Sequence, residues 1–220
     1  MADREAIRAL ADEYLRDGKP TEWFEPLYAS AGGDPSVLPW ADLRPNPNLV
    51  RWLKESGTRG EDRRALDIGC GLGDNAEALA AAGFRVTAFD VAPSAIDWCR
   101  RRFATSSVDY RTADALKPPL EWRGAFDFIH ECYTLQALPP DVREQLMASI
   151  ASLLAPGGRL LVFARARDEA EPPGALPWPL TRTELKRFET LGLTCESFDD
   201  FLDFEDPPVR RFSAMYVRPH

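Results

Sequence analysis

The sequence predicts an α/β fold built on a doubly wound, mostly parallel, seven-stranded sheet. Short apolar runs alternate with helical patterns from residue 64 onward, which is typical of a parallel sheet with helices on both faces. The apolar run at residues 64–68 ends in a glycine-rich loop, and a helical segment follows it. A second run, at residues 85–89, ends in the carboxylate of Asp90. This order predicts the start of a nucleotide-binding βαβ unit, with the acid placed to hydrogen-bond a ribose.

The first sixty residues differ in character from the rest of the chain. Residues 3–16 carry apolar side chains at helical spacing, which predicts an amphipathic helix. Residues 20–48 are rich in proline, glycine and aromatic side chains and have weak periodicity, and a short helix is predicted over 48–56. We expect residues 1–60 to form a helical and aromatic cap over the ligand face, and residues 61–220 to form the core of a single structural domain.

The core elements follow in chain order. Asp141 is expected to cap the helix that it opens, and Thr181 with Glu184 matches a capping box. Residues 194–201 and 209–217 are predicted to close the chain as a strand pair. The other predicted strands are 64–68, 85–89, 108–111, 125–130 and 159–164, and the predicted helices are 74–82, 94–103, 141–154 and 181–191.

The glycine loop departs from the dinucleotide fingerprint. Gly69, Gly71 and Gly73 are spaced G-x-G-x-G, and Asp74 stands in place of the third fingerprint glycine. Asp74 suits a helix N-cap, but its carboxylate would repel a pyrophosphate at the helix N-terminus. Asp67 adds a second acid at the strand end, where burial is costly unless the group is paired. A ligand with an ammonium, a sulfonium and no phosphate fits these charges, and S-adenosylmethionine has that chemistry.

Four segments occur in an order that one enzyme family shares: residues 67–73, Asp90, residues 112–115 and residues 153–162. Together they resemble the class I S-adenosylmethionine-dependent methyltransferases over roughly residues 62–165. The resemblance implies a Rossmann-like sheet with an antiparallel edge strand. It also implies S-adenosylmethionine as the methyl donor and S-adenosylhomocysteine as the product.

The resemblance also assigns cofactor contacts. Asp90 would accept ribose hydroxyls, Asp114 would meet the adenine amino group, and Asp67 would orient the methionine end, although each also fits a plain turn or paired acid. The full expected set of cofactor-binding residues is Asp67, Gly69, Cys70, Gly71, Gly73, Asp90, Val91, Asp114, Ala115, His130 and Trp40.

The segment after the fourth strand is where chemistry is expected, because ligands of doubly wound sheets bind at the carboxyl ends of the strands. His130 is a candidate general base near neutral pH, or a packed ring whose carbonyl holds the cofactor ammonium. Glu131 and Tyr133 are candidates to accept a proton or to bind substrate. Cys132 is expected to pack rather than to act as a nucleophile.

Residues 39–47 carry a second resemblance, to the N-terminal cap of the thiopurine, halide and thiol methyltransferase group. It implies that Trp40 lies against the cofactor and that Arg44 faces the substrate, with a rigid proline loop around a core tryptophan as the alternative. Trp178, between two prolines, is a candidate for the opposite wall of the substrate pocket or for a surface contact.

The bulk composition restricts the partners. The 220 residues carry a net charge of −8, which argues against a non-specific binder of nucleic acid or of an anionic membrane. The basic run at residues 100–102 is expected to be a solvated helix end. Neither an apolar run of membrane-spanning length nor a leader pattern is found, four cysteines lack C-x-x-C spacing, and there are two histidines. We expect a cytoplasmic protein with reduced thiols, no metal site and a small-molecule substrate, and the oligomeric state stays open.

The expected function is methyl transfer to a small nucleophile, foremost a thiol, in detoxification or natural-product tailoring. O- or N-methylation of a metabolite is the enzymatic alternative, and a base is then needed. A non-catalytic cofactor-binding module and an NAD-dependent oxidoreductase are the competing hypotheses.

Overall fold

The computed structural model describes residues 4–220. The strands are β1 (Arg64–Ile68), β2 (Arg85–Asp90), β3 (Asp109–Thr112), β4 (Phe126–Cys132), β5 (Leu154–Arg165), β6 (Thr194–Leu202) and β7 (Arg210–Val217). The helices are α1 (Arg4–Arg16), α2 (Phe24–Ser30), α3 (Pro47–Ser56), α4 (Asp74–Ala81), α5 (Pro93–Arg102), α6 (Pro140–Leu153), α7 (Arg182–Leu185) and α8 (Arg187–Thr190).

The seven strands form one sheet in the order β3-β2-β1-β4-β5-β7-β6. The pairs β2–β3, β1–β4 and β4–β5 are parallel, and β7 is antiparallel to both β5 and β6. The predicted α/β fold class, with its mostly parallel sheet and antiparallel edge, is confirmed.

By contacts the chain divides into two compact units. The first unit holds residues 69–114 and the described part of residues 1–62, and the second holds residues 63–68 and 115–220. The predicted division into a cap at 1–60 and a core at 61–220 stays a prediction.

In the first unit, helices pack beside β2 and β3. Phe89 of β2, Leu79 of α4 and Ile96 of α5 are fully buried. Helix α2 is tied to the start of α5, because Ser94 donates from its backbone N and its Oγ to the two carboxylate oxygens of Glu25, at 3.0 and 2.7 Å. The aromatic-rich N-terminal segment therefore contains a helix that the sequence pattern did not predict.

In the second unit, β4 and β5 are the central strands. Their side chains are buried on both faces, as expected for parallel strands covered by helices. Strand β6 lies at the sheet edge and is largely exposed, and its charged residues Asp199 and Asp200 make that edge unfavourable for pairing with another chain.

Two predicted helix caps need correction. Helix α6 begins at Pro140 with Pro139 at the N-cap position, so Asp141 lies in the first turn and is not the cap. The proline is favoured there because its fixed φ suits the first helical turn. Likewise Gly73, with φ 88°, occupies the N-cap position of α4, and Asp74 is its first residue.

The capping box of Thr181 and Glu184 is confirmed. The hydroxyl of Thr181 accepts from the Glu184 backbone N at 3.1 Å, and the Glu184 carboxylate accepts from the Thr181 backbone N at 2.7 Å. The helix predicted over 181–191 is instead two short helices, α7 and α8, separated at Lys186. Among residues 4–220, no helix is long and apolar enough to cross a membrane.

Candidate active site

The glycine loop in the first unit has a left-handed backbone at each of its glycines. Gly69, Gly71 and Gly73 have φ values of 59°, 55° and 88°, which residues with a side chain rarely adopt. A Cβ at position 73 would lie 2.6 Å from the hydroxyl of Tyr110, and one at position 71 would lie 3.2 Å from the hydroxyl of Tyr28. A side chain at position 71 or 73 would therefore crowd a tyrosine hydroxyl as well as strain the backbone.

Asp90 ties the end of β2 to the glycine loop. Its Oδ2 accepts from the Gly71 backbone N and its Oδ1 accepts from the Ala92 backbone N, both at 3.0 Å. Burial raises the pKa of Asp90 to about 6, and the backbone hydrogen bonds oppose that rise. The carboxylate is therefore ionised at neutral pH, and it retains acceptor capacity for a further donor.

Asp74 does not present a free negative charge to a ligand. Arg102 at the end of α5 donates to both Asp74 carboxylate oxygens, at 2.7 and 2.8 Å, and to the Leu72 carbonyl at 2.6 Å. The expectation of a solvated basic run at residues 100–102 is wrong for Arg102, which is partly buried in this contact. Because Arg102 balances its charge, Asp74 repels the pyrophosphate of a dinucleotide less than a free carboxylate would.

An aromatic cluster in the first unit surrounds Tyr28. Trp40 donates from its indole N to the Tyr28 hydroxyl at 2.8 Å, and its ring packs edge-on against Trp23, Phe24 and Tyr28. Tyr28 is buried, and burial together with the charge of Asp90 raises its pKa. Sequence reasoning selected Trp40 but missed Tyr28, which a pattern search cannot separate from other aromatic residues of this segment. Arg44 is exposed.

The remaining residues predicted in the first unit lie along the same loops. Cys70 donates from its backbone N to the Phe89 carbonyl at 2.9 Å. Val91 follows β2 and Asp114 follows β3, and both are half-buried.

Asp67 and His130 form a buried pair in the second unit. They are direct partners in the parallel register of β1 and β4, and Asp67 Oδ1 lies 2.7 Å from His130 Nδ1. Both side chains are almost fully buried. Asp67 Oδ2 and His130 Nε2 have no hydrogen-bond partner among residues 4–220. With the proton on Nδ1, the ring donates to Asp67 and Nε2 is an acceptor.

Glu131 is engaged differently. Its Oε1 accepts from the backbone N of Thr134 and of Leu135, at 2.7 and 2.9 Å, so it fixes the turn after β4. Burial raises the pKa of Glu131 to about 7, against the effect of these hydrogen bonds. Because neighbouring strand residues face opposite sides of a sheet, Glu131 and His130 point to different faces.

Tyr133 lies just beyond β4 with a left-handed backbone, φ 69°. The guanidinium carbon of Arg211 lies 4.5 Å from the centre of its ring.

Burial raises the pKa of the Cys132 thiol well above its usual value, which agrees with a packing role. Ala115 and Trp178 are half-buried, and the Trp178 backbone N donates to the Gln136 carbonyl at 2.8 Å. His130, Glu131 and Tyr133 thus follow one another in sequence but have three different sets of contacts.

Comparison with known proteins gives the family. A family model described as "Methyltransferase domain" matches residues 65–158. A ubiquinone biosynthesis O-methyltransferase of Xanthomonas campestris pv. campestris is 37% identical over 109 residues, covering 49% of this chain and 45% of that protein. Residues 65–158 are therefore similar to a methyltransferase domain. The chain spans about half of the length of the curated relatives that it matches first.

Solved structures support the fold of the methyltransferase domain. A protein described in the conversion of a disulfide bond into a thioacetal group during echinomycin biosynthesis has a TM-score of 0.74 at 20% identity, covering 90% of this chain and 91% of its own. The N-methyltransferase NodS from Bradyrhizobium japonicum WM9, in complex with S-adenosyl-L-homocysteine, has a TM-score of 0.67 at 24% identity, covering 88% and 99%.

The residues of the methyltransferase domain fit S-adenosylmethionine chemically. The ribose hydroxyls and the ammonium of that molecule are hydrogen-bond donors. In the first unit the Asp90 carboxylate offers acceptor oxygens. In the second unit Asp67 Oδ2 is an acceptor with no hydrogen-bond partner among residues 4–220. No group of three or more histidine, cysteine or acidic side chains that could hold a metal ion is found in the part of the chain that the structure describes.

Proposed function

We propose that this protein transfers the methyl group of S-adenosylmethionine to a small-molecule nucleophile, with oxygen as the foremost accepting atom. The observation that carries the proposal is the match of residues 65–158 to the methyltransferase family, since that segment contains the glycine loop and the Asp90 contact to Gly71. The choice of oxygen rests on the relatives, which are named O-methyltransferases.

In this proposal each acceptor group has a part in holding the cofactor. Asp90 accepts from the ribose hydroxyls while it holds the Gly71 backbone N. Asp114 meets the adenine amino group, and Trp40 lies against the cofactor on the support of Tyr28. Asp67 Oδ2 accepts from the methionine ammonium, because this buried oxygen has no hydrogen-bond partner among residues 4–220.

When bound, S-adenosylmethionine supplies an electrophilic methyl on a sulfonium, so the protein's main contribution is to position the acceptor and to exclude water. A phenolic or alcoholic acceptor must also lose a proton. His130 is the candidate to take it at Nε2, which has no hydrogen-bond partner among residues 4–220, while its Nδ1 lies 2.7 Å from Asp67 Oδ1. The two backbone hydrogen bonds at Glu131 support a structural role for that residue, in the turn that precedes Tyr133.

S-methylation of a thiol is the second candidate. His130 and Glu131 are both fully buried and engaged, and a thiol of low pKa loses its proton without a strong base. The resemblance of the segment around Trp40 and Arg44 to thiol methyltransferases favours the same acceptor. N-methylation remains an outcome of the test.

The test is S-adenosylhomocysteine release with ring-matched acceptors: a phenol, a thiophenol and an aniline with the same ring substituents. Preference of the wild type for the phenol supports methyl transfer to oxygen. Loss of that preference in His130→Gln, with cofactor affinity retained, supports His130 as the base. Preference for the thiophenol, unchanged in His130→Gln, supports the second candidate. Release from the aniline alone would overturn both choices of atom.

A further inference from the structure

One buried guanidinium in the second unit has no part in the mechanism proposed above. Arg211 is 1% exposed, which is unusual for arginine, and its Nη1 has no hydrogen-bond partner among residues 4–220. Its Nε donates to Asp203 Oδ2 at 2.6 Å, and its Nη2 donates to Glu205 Oε1. Arg211 is therefore held by two acids with one nitrogen left over.

The strand register places Arg211 at the ligand-binding edge of the sheet. Arg211 opposes Arg165, the last residue of β5, in the antiparallel pairing of β5 and β7. Tyr133, whose ring the guanidinium covers, follows the parallel neighbour β4, and its backbone N donates to the Phe163 carbonyl of β5 at 3.1 Å. The carboxyl ends of parallel strands are where ligands of this fold class bind.

The chemistry of the leftover nitrogen selects its partner. A guanidinium only donates, so Nη1 needs an acceptor, and a buried charged donor without one is costly. The buried Asp203 and the half-exposed Glu205 already balance the charge of Arg211. An uncharged carbonyl oxygen is therefore as suitable an acceptor as a carboxylate.

We propose that Arg211, held by Asp203 and stacked on Tyr133, binds an acceptor oxygen of the small-molecule substrate. This rests on the proposed function, and it adds that the substrate carries a carbonyl or carboxylate oxygen besides the atom that is methylated. The rigid pairing to Asp203 holds the planar donor in place, so lysine, a point donor on a flexible stem, does not replace it.

The test measures binding without turnover. Acetophenone, benzoate and ethylbenzene share a ring and differ in the oxygen, and each is titrated into protein saturated with S-adenosylhomocysteine and followed by saturation-transfer NMR. We expect acetophenone and benzoate to bind about ten-fold or more tightly than ethylbenzene. If only benzoate binds tightly, the result also supports the site and indicates that the site prefers a charged oxygen. Equal binding of ethylbenzene and the two oxygen probes would overturn it.

A matched pair of variants locates the effect. Arg211→Lys should abolish the preference for oxygen, whereas Arg210→Lys should retain it, because Arg210 is exposed and pairs with Asp200 and Asp168. A preference that survives in folded Arg211→Lys would contradict the proposal. If thermal unfolding shows that Arg211→Lys does not fold, the wild-type probe comparison still decides. Since no methyl transfer is measured, failure of the proposed function is a separate result.

Discussion

At the residue scale, two buried acids differ in what their oxygens do. Asp90 and Glu131 both have pKa values that burial raises, to about 6 and about 7. Asp90 uses one oxygen for the glycine loop and the other for Ala92, and we propose that it also accepts from ribose hydroxyls. Glu131 uses a single oxygen to hold the turn after β4. The contacts of Asp90 suit a residue that also binds a ligand, whereas those of Glu131 suit a residue that stabilises a turn.

Asp90→Asn should weaken S-adenosylhomocysteine binding by about 1–3 kcal/mol, because the amide loses the charge that ribose hydroxyls meet and turns a donor toward a backbone N. In the wild type the affinity should fall as pH drops through about 6, where Asp90 takes up a proton. Calorimetric titration from pH 5 to 8 measures both effects. Asp97→Asn, at an exposed acid of α5, is the control, and an unchanged affinity in Asp90→Asn would remove the ribose assignment.

The raised pKa of Glu131 should make the free energy of unfolding depend on pH. Its folded pKa of about 7 lies above the ordinary value of 4.5, so the folded state binds more protons than the unfolded state between those values. The free energy of unfolding should therefore fall as pH rises from about 4.5 to 7. Glu131→Gln keeps an acceptor oxygen for Thr134 and Leu135 and removes this titration, and it should be more stable than the wild type at pH 8 by about 1–3 kcal/mol.

Urea unfolding of both proteins at pH 5 and pH 8 checks the Glu131 prediction. The two proteins should be closer in stability at pH 5 than at pH 8. A Glu131→Gln variant that is less stable at both pH values, and that loses methyl transfer while it still binds cofactor, would favour the proton-accepting role instead.

At the element scale, one ion pair joins two helices at the glycine loop. Arg102 at the end of α5 reaches Asp74 at the start of α4 and the carbonyl of Leu72. Both charged side chains are about four-fifths buried, at 20% and 16% exposed, so solvent screens the pair less than a surface salt bridge.

Arg102→Ala should lower the free energy of unfolding by about 1–3 kcal/mol, because it leaves a partly buried carboxylate and a carbonyl without their donor. It should also weaken S-adenosylhomocysteine binding, since the loop loses an anchor. Arg101→Ala, at an exposed neighbour, should change neither. Urea unfolding and calorimetric titration measure the two effects, and equal results for the two variants would mean that the pair does not hold the loop.

The elements that sequence reasoning predicted well are those with a strong local signal. Strand β1 matches its predicted bounds, and the capping box at Thr181 is present, because each depends on neighbours in the chain. Helix α2 was missed because its sequence is short and aromatic, and packing on α5 stabilises it through Glu25 and Ser94. The break at Lys186 likewise has no signature in a sequence of good helix formers.

The site residues divide in the same way. The glycine loop and Asp90 were predictable because a backbone turn and an acid after a strand leave a local pattern. The contact between Asp67 and His130 depends on the register of β1 against β4, and that of Arg211 with Tyr133 depends on β7 against β5. No single segment of the sequence determines either register. Asp67 and His130 were therefore predicted as separate site residues, and Arg211 was not predicted at all.

At the scale of the whole molecule, the chain combines a methyltransferase family segment with an N-terminal segment of its own helices and aromatic cluster. The matches to the curated relatives include the methyltransferase family segment and extend over about half of each relative's length. Trp40, Arg44, Trp178 and Arg211, for which we propose contacts to cofactor or substrate, lie outside the matched segment.

The central claim is that this chain moves a methyl group from S-adenosylmethionine to a small molecule. The most direct measurement incubates the protein with methyl-labelled S-adenosylmethionine and the acceptor panel, and follows the label by mass spectrometry. We expect label in a small-molecule product together with equimolar S-adenosylhomocysteine. Saturable binding of S-adenosylmethionine with no label in any acceptor, oxygen, sulfur or nitrogen, would contradict it and indicate a binding module.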